Sequence, residues 1–363
     1  MKALWLIPPL VAQFVSDSGD EGNLFNCPLA STRLRMGVAA NEWRNQGNEN
    51  AYRQPFEILG DRSLDWQNMQ VCVVPKYVRG QSPAVWLDAC RKARSEGCRL
   101  LVDICDYPFR DEPNDIDAFY SGVLSLTDVL VVNSDQMAAK MARHFRKKIT
   151  VIEDAILAPP GPPAFTPSDA LKLLWFGHPL NLRFLEPFVA RLLDSGPRPC
   201  SLVIVTADGF GARELVQRIQ QRHDPAIQAK FVEWSLETTR DELAACDIAV
   251  LPGDPFDPLK GGASANRLAE AINAGRFAVA SPLHSYLPFA DAAWLGNNLI
   301  EGIEWAQANG AEVLQRIQRG QALVAERFAP RRLGAQWYGV FESTSAASGY
   351  LQGIRRFLGR MRS

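Results

Sequence analysis

Leu157-Ala158-Pro159-Pro160-Gly161-Pro162-Pro163 places four prolines and a glycine within seven residues, near the middle of a 363-residue chain. Proline fixes its own φ and donates no amide hydrogen, so this stretch continues neither a helix nor a central strand. The sequence on its two sides is alike in pattern, with short apolar runs alternating with helix-length amphipathic segments. Before it, strands are expected at residues 3–7, 71–75, 100–104, 129–132 and 150–152. Helices are expected there at 33–46, 84–96, 116–126 and 135–145, the last with Ser134 as its N-cap. After it, strands are expected at 172–176, 201–206, 229–233, 248–251 and 277–281, and helices at 180–193, 212–222, 239–246, 263–274 and 313–328. The strand runs are continuous in Val, Leu and Ile, as required where helices cover both faces of a parallel sheet. Two βαβ series joined by a proline-rich connection predict an α/β chain of two Rossmann-like, doubly wound domains facing across a cleft. The expected division is 1–157 for the first domain, 158–170 for the linker, 171–328 for the second domain and 329–363 for C-terminal helices crossing back to the first.

Composition narrows the class. The length suits two domains of roughly 150 to 180 residues rather than one core. An apolar fraction of 47% and a charged fraction of 22% are ordinary for a soluble globular protein. A net charge of -1 supplies no electrostatic basis for a nucleic-acid partner. The seven cysteines (27, 72, 90, 98, 105, 200 and 246) form no C-x-x-C pair and several sit in apolar runs. They read as buried thiols in a reducing cytoplasm, not as a disulfide framework or a zinc cluster. Lys2 followed by Ala3-Leu4-Trp5-Leu6-Ile7 reads as a buried first strand rather than a signal peptide, because Pro8-Pro9 interrupts the run. No apolar run reaches the roughly 18 residues of a membrane span.

Residues 330–363 read as two further helices, with Leu333, Trp337, Tyr338 and Phe341 at helical spacing. Within them, 349–363 pairs Tyr350, Ile354, Phe357, Leu358 and Met361 with Arg355, Arg356, Arg360 and Arg362. Such a basic amphipathic helix either lies on an anionic membrane surface, as a peripheral contact on the inner face, or docks its apolar side on the first domain. Docking is the preferred reading.

The chemistry concentrates in Lys260-Gly261-Gly262-Ala263-Ser264-Ala265-Asn266-Arg267-Leu268-Ala269-Glu270, which follows the expected strand at 248–251 and opens a helix. Amides at a helix start face an anion, and Lys260 and Arg267 add positive charge beside them. A departing nucleoside diphosphate needs such a setting, because negative charge develops on it. Glu270 lies three residues beyond Arg267 on the same helical face and could accept hydrogen bonds from ribose hydroxyls. The same residues also suit a capped surface helix with a solvated Arg267–Glu270 pair.

The stretch 260–286, spelled K-x5-N-R-x2-E-A-x3-G-R-x-A-V-A-S-P-x3-Y, resembles the donor segment of GT-B glycosyltransferases of the family-4 type. Ala30-Ser31-Thr32-Arg33-Leu34-Arg35 with Gly47, Val131-Val132-Asn133-Ser134, Ile149-Thr150-Val151-Ile152-Glu153-Asp154 and Leu174-Trp175-Phe176-Gly177-His178 resemble other segments of that family, in order, over residues 1–345. The resemblance implies a nucleotide-diphospho-sugar donor, retention of anomeric configuration, no catalytic metal and no cofactor. It implies that Lys260 and Arg267 hold the diphosphate, Asn266 assists and Glu270 binds the ribose. Gly177, with His178 and Asn181 in its turn and Gly261 and Gly262 in the later loop, would let backbone approach the phosphates. Glu233 and Trp234 would lie near the base.

The family's paired-glutamate motif is matched only by its second member, Glu270; Gly262 takes the place of the first. That substitution supports the alternative of a non-catalytic, nucleotide- or glycan-binding member of the fold. On the first-domain side, Asp106 is the candidate for orienting an acceptor hydroxyl or acting as base, with Asp103 beside it. Ser31, Arg33 and Arg35 are expected at the cleft, where the arginines would meet donor phosphate or an anionic acceptor. The acceptor is a glycan, a lipid-linked saccharide or a small molecule. Of the histidines, His178 alone has an argument for the cleft; His144, His223 and His284 have none.

Overall fold

The computed structural model describes residues 1–15, 21–60, 64–110, 114–166, 170–195, 199–222 and 227–360, without the side chains of 21–22 and 346–360. The chain forms two compact units, Met1–Ala155 with Pro330–Ser363, and Ile156–Ala329.

The first unit runs β1 (Lys2–Leu6), α1 (Pro9–Ala12), a π-helix (Thr32–Gly37), α2 (Val38–Asn45), β2 (Glu49–Arg53), α3 (Pro55–Gly60) and β3 (Met69–Val74). It continues through α4 (Pro83–Ser95), β4 (Arg99–Ile104), α5 (Asp115–Leu126), β5 (Val129–Val132), α6 (Asp135–Met141) and β6 (Ile149–Val151). Its sheet is wholly parallel in the order β2-β1-β3-β4-β5-β6. Strands β3 to β5 are almost entirely buried, which accounts for their continuous apolar spelling. β2 was not expected: Glu-Asn-Ala-Tyr-Arg is an edge strand that buries only Ala51. Helix starts are capped by side chains, Ser134 accepting from the Met137 amide at 3.1 Å and Asn114 forming a capping box with Asp117.

The second unit contains β7 (Leu171–Phe176), α7 (Leu182–Asp194), β8 (Cys200–Thr206), α8 (Ala212–Gln221), β9 (Ile227–Glu233), α9 (Leu236–Ala245) and β10 (Ile248–Leu251). After these come α10 (Asn266–Asn273), β11 (Phe277–Ala280), β12 (Trp294–Leu295), α11 (Leu299–Ala308) and α12 (Gly310–Arg327). This sheet too is parallel, in the order β12-β11-β10-β7-β8-β9. Leu173, Trp175, Ile204 and Val250 enter one core layer, while Leu174, Phe176, Val205 and Leu251 enter the other. Alternate residues of one strand thus serve both covered faces.

The units divide between Ala155 and Ile156, and the proline stretch expected as a linker falls within the second. It is strapped to the second unit. The Gly161 amide donates to Asn273 O at 2.8 Å and the Ala164 amide to Gly275 O at 3.0 Å. Asn273 Nδ2 donates to Ala158 O at 2.9 Å, Gln321 Nε2 to Gly161 O at 2.7 Å and Arg276 Nη1 to Pro162 O at 3.2 Å. A proline run loses its amide donors but keeps its carbonyls, so side-chain donors bind it well.

The C-terminal segment is one helix, α13 (Pro330–Arg360), not two, because nothing after Pro330 removes an amide donor. It belongs to the first unit, where Phe341 meets Trp5 and Trp43 edge-on at 5.7 and 5.3 Å. The amphipathic face read at 349–363 lies outside the described side chains.

Candidate functional site

In an open parallel sheet, ligands sit beyond the carboxyl ends of the strands, where the strand order reverses. In the second unit that point is β7, flanked by β8 on one side and β10 on the other. β7 runs out into Gly177, whose amide donates to Val205 O at 3.2 Å and whose carbonyl accepts from Thr206 Oγ1 at 2.8 Å. A Cβ at Gly177 would lie 3.0 Å from Arg267 Nη1, so the absence of a side chain admits the guanidinium. Arg267, in the first turn of α10, lies over this turn with Nη1 3.5 Å from Phe176 O. The two residues sit 90 positions apart in sequence and meet at the switch point.

The loop after β10 is folded by a residue that sequence reasoning missed. Asp257 is buried, and its carboxylate accepts from the amides of Leu259 at 3.0 Å and Lys260 at 2.7 Å and from Arg183 Nη2 at 2.7 Å. The signal was an Asp-Pro-Leu-Lys turn spelling. Gly261 is fixed by crowding. A Cβ there would meet Pro255 O at 2.5 Å and Asp257 O at 2.8 Å. Lys260 and Gly262 bracket it, Lys260 half-buried and Gly262 buried. Asn266 Oδ1 accepts from the Arg267 amide at 2.8 Å, and half-buried Glu270 follows one turn along α10.

On the other side of β7, exposed His178 accepts from the Leu180 amide through Nδ1 at 3.2 Å. Asn181 is buried with Oδ1 unpaired. At the end of β9, exposed Glu233 accepts from the Asp208 amide at 3.3 Å. Trp234 is half-buried against the core layer containing Phe176. All these residues lie along the carboxyl edge of one sheet.

The first-unit candidates fare differently. Arg35 is fully buried. It donates through Nε and Nη2 to Asp103 at 2.8 and 2.6 Å and through Nη1 to Asp154 at 3.0 Å, with its guanidinium 5.4 Å from the Trp337 ring. Burial opposes the guanidinium charge, and Asp103 with Asp154 outweighs it, raising the Arg35 pKa further. Burial also raises Asp103, opposed by Arg35. Neither residue is open to a ligand; both hold the unit together. Arg33 is buried as well, donating to Cys27 O at 2.7 Å and Pro28 O at 3.1 Å, so it clamps a loop rather than facing outward. The cause is the π-helix, all six of whose residues are buried, where a regular α-helical start was expected. Ser31, just before it, is buried and caps nothing with its side chain.

Asp106 stays accessible beyond β4, paired with Lys76 Nζ at 2.9 Å. Lys76, which follows β3, was not singled out from sequence; Asp106 raises its pKa and keeps it charged. His144 shares a 3.0 Å hydrogen bond with Tyr107, and His223 lies outside the described residues. The described residues bring no metal-binding group of His, Cys, Asp and Glu together, and none of the described helices is long and apolar enough to cross a membrane.

Neither a protein-family model nor a curated protein sequence matches this chain. Solved structures are similar to it. HepE of Anabaena, solved with UDP and with UDP-glucose, gives a TM-score of 0.61 at 13% and 15% identity, covering 94% of this chain and 100% of that one. A glycosyltransferase of Rickettsia africae gives 0.59 at 13% identity, covering 94% and 98%. The pneumococcal O-GlcNAc transferase GtfA, with UDP and GlcNAc, gives 0.54 at 12% identity, covering 76% and 56%. The chain has the GT-B fold of two Rossmann-like domains.

Proposed function

We propose that the protein is a glycosyltransferase that holds a nucleoside-diphospho-sugar on the carboxyl edge of the second unit and transfers its glycosyl group to an acceptor hydroxyl. The observation that carries this reading is Arg267 seated over the Gly177 turn at the switch point of the sheet. A fixed cation above a side-chain-free turn suits a diphosphate. HepE, of the same fold, has been solved with UDP and UDP-glucose, which supports a sugar-nucleotide donor here.

In this reading the bond from anomeric carbon to phosphate oxygen breaks as the acceptor oxygen bonds to that carbon. The acceptor hydroxyl gives up its proton and the nucleoside diphosphate departs. Arg267 and Lys260 stabilise the charge on the leaving diphosphate. Asn266 steadies the Arg267 backbone, and Glu270 accepts from ribose hydroxyls. Trp234 and Glu233 flank the base, while His178 and Asn181 line the turn. Asp106, at the carboxyl edge of the other sheet, orients the acceptor. Retention of configuration, metal-independence and a glycan, lipid-linked or small-molecule acceptor belong to the same proposal.

The test is thermal unfolding with uridine and guanosine diphosphates at millimolar concentration, followed by release of nucleoside diphosphate from a panel of sugar nucleotides. Ligand at about 100 times its Kd stabilises by about 2.7 kcal/mol. Lys260→Ala and Arg267→Ala should each remove most of that protection. An unchanged wild-type melting temperature with both diphosphates would overturn the donor site. Binding without turnover on any sugar nucleotide would instead favour a non-catalytic binding protein, for which Gly262 is the supporting residue.

A further inference from the structure

We propose that Phe256 is the platform on which the glycosyl ring of the donor stacks, an inference resting on the donor-site reading above. Among the described residues, the large apolar side chains that the second unit leaves exposed are Leu180, Phe210, Phe256 and Leu287. They follow β7, β8, β10 and β11 respectively, so all lie on the carboxyl edge. This unit therefore exposes bulky apolar surface on the edge where a ligand sits. Phe256 is the extreme case, with 90% of its surface exposed.

The loop fixes the backbone that carries that ring. The Phe256 amide donates to Asp254 Oδ1 at 2.9 Å. The next residue is buried Asp257, whose carboxylate is bonded by two amides and by Arg183. One of those amides belongs to Lys260, so a single carboxylate anchors both the backbone next to Phe256 and the start of the cationic loop. A pinned backbone leaves only the two side-chain torsions of the phenyl to be ordered on binding, which lowers the cost of stacking a ligand on it.

Strand order decides which part of the donor meets it. Neighbouring strands stand about 4.8 Å apart. Trp234 and Glu233 at β9 lie two strands from β7, and the β10 loop lies one strand beyond β7 on the opposite side. A donor with its base toward β9 and its diphosphate over Gly177 and Arg267 thus carries its sugar toward Phe256. Pyranose rings present a face of C–H bonds that an aromatic ring covers well. Gly262, which takes the place of the first glutamate in the resemblance above, offers no side chain to sugar hydroxyls, which leaves more of the ring recognition to this apolar contact. The donor class that follows is a nucleoside-diphospho-hexose with one apolar ring face.

The experiment measures the binding of UDP, UDP-glucose, UDP-N-acetylglucosamine, GDP and GDP-mannose by calorimetry to the full chain, comparing wild type with Phe256→Ala and Phe256→Tyr. Phe256→Ala should weaken the preferred sugar nucleotide by about tenfold while leaving its parent diphosphate within about twofold, and Phe256→Tyr should restore binding. Equal loss of sugar nucleotide and diphosphate, or no loss of either, overturns the assignment. If wild type binds no diphosphate at all, the donor site itself fails and this inference falls with it, a result distinct from the other two.

Discussion

Arg35 and Arg267 look alike in sequence, each an arginine near a helix start beside a strand edge, yet the fold places them differently: Arg35 is fully buried among carboxylates, whereas Arg267 is half-buried at the carboxyl edge of its sheet. While the meeting of Arg267 with Gly177, 90 positions away, comes from the fold, the loop and helix start that carry Arg267 were legible, being one contiguous stretch. Arg35 was not, because its partners Asp103 and Asp154 stand 68 and 119 residues away and nothing nearby announces them. Lys76 was missed for a similar reason, its partner Asp106 standing 30 residues away, whereas Asp257 sits in a locally spelled turn and only its partner Arg183, 74 residues away, was hidden. Buried ion pairs also respond differently from ligand-binding charges. Removing one partner strands the other charge in the core and costs about 3–5 kcal/mol. Asp103→Ala should therefore lower the free energy of urea unfolding by that amount, while diphosphate affinity per folded molecule stays unchanged. A loss of less than about 1 kcal/mol, the worth of an exposed pair, would contradict the buried role.

At the scale of elements, each strand expected from apolar runs is present, because parallel strands covered on both faces must be spelled continuously. What escaped were elements whose residues face water or break a rule. β2 is polar and at an edge. α11 has Gly302 in its interior, which reads as a breaker until the Trp294 ring is found where a Cβ would go, 2.5 Å away. The proline stretch read as a linker because proline spelling shows missing donors and not the side chains that reach for its carbonyls. Its seat on the second unit rests on Gly275, at φ 78°, where a Cβ would lie 2.1 Å from Pro162 O. Gly47 has nearly the same backbone, φ 77°, with nothing within 4 Å of its would-be Cβ. An alanine in left-handed backbone costs about 1–3 kcal/mol. Gly47→Ala should show that cost alone, and Gly275→Ala should show it plus displacement of the strap. Thermal unfolding of the two variants separates the terms, and equal losses would mean that the close approach contributes nothing.

The whole chain repeats one construction, a parallel sheet whose first strand lies inside the order. At the amino edge of the second unit the chain is tied by backbone bonds, as where the Asp247 amide donates to Lys172 O and the Leu171 amide to Pro199 O. The carboxyl ends of the strands and the loops after them carry Gly177, Phe210, Glu233, Phe256 and Lys260. This asymmetry yields a test that needs no substitution and no knowledge of the acceptor. A ligand that bridges these loops suppresses their local opening without changing the amides at the far edge, because opening free energies differ from region to region. Hydrogen exchange with and without saturating diphosphate should show slower exchange at 178–181, 207–211 and 252–266, and unchanged exchange at 170–172, 199–200 and 246–248. Protection at the amino edge, or spread evenly over both edges, would mean that the diphosphate binds elsewhere or acts only by stabilising the unit as a whole. Protection strongest in 252–266 would place the ligand against the loop that Asp257 folds, the segment that joins the cationic helix start to the exposed phenyl ring.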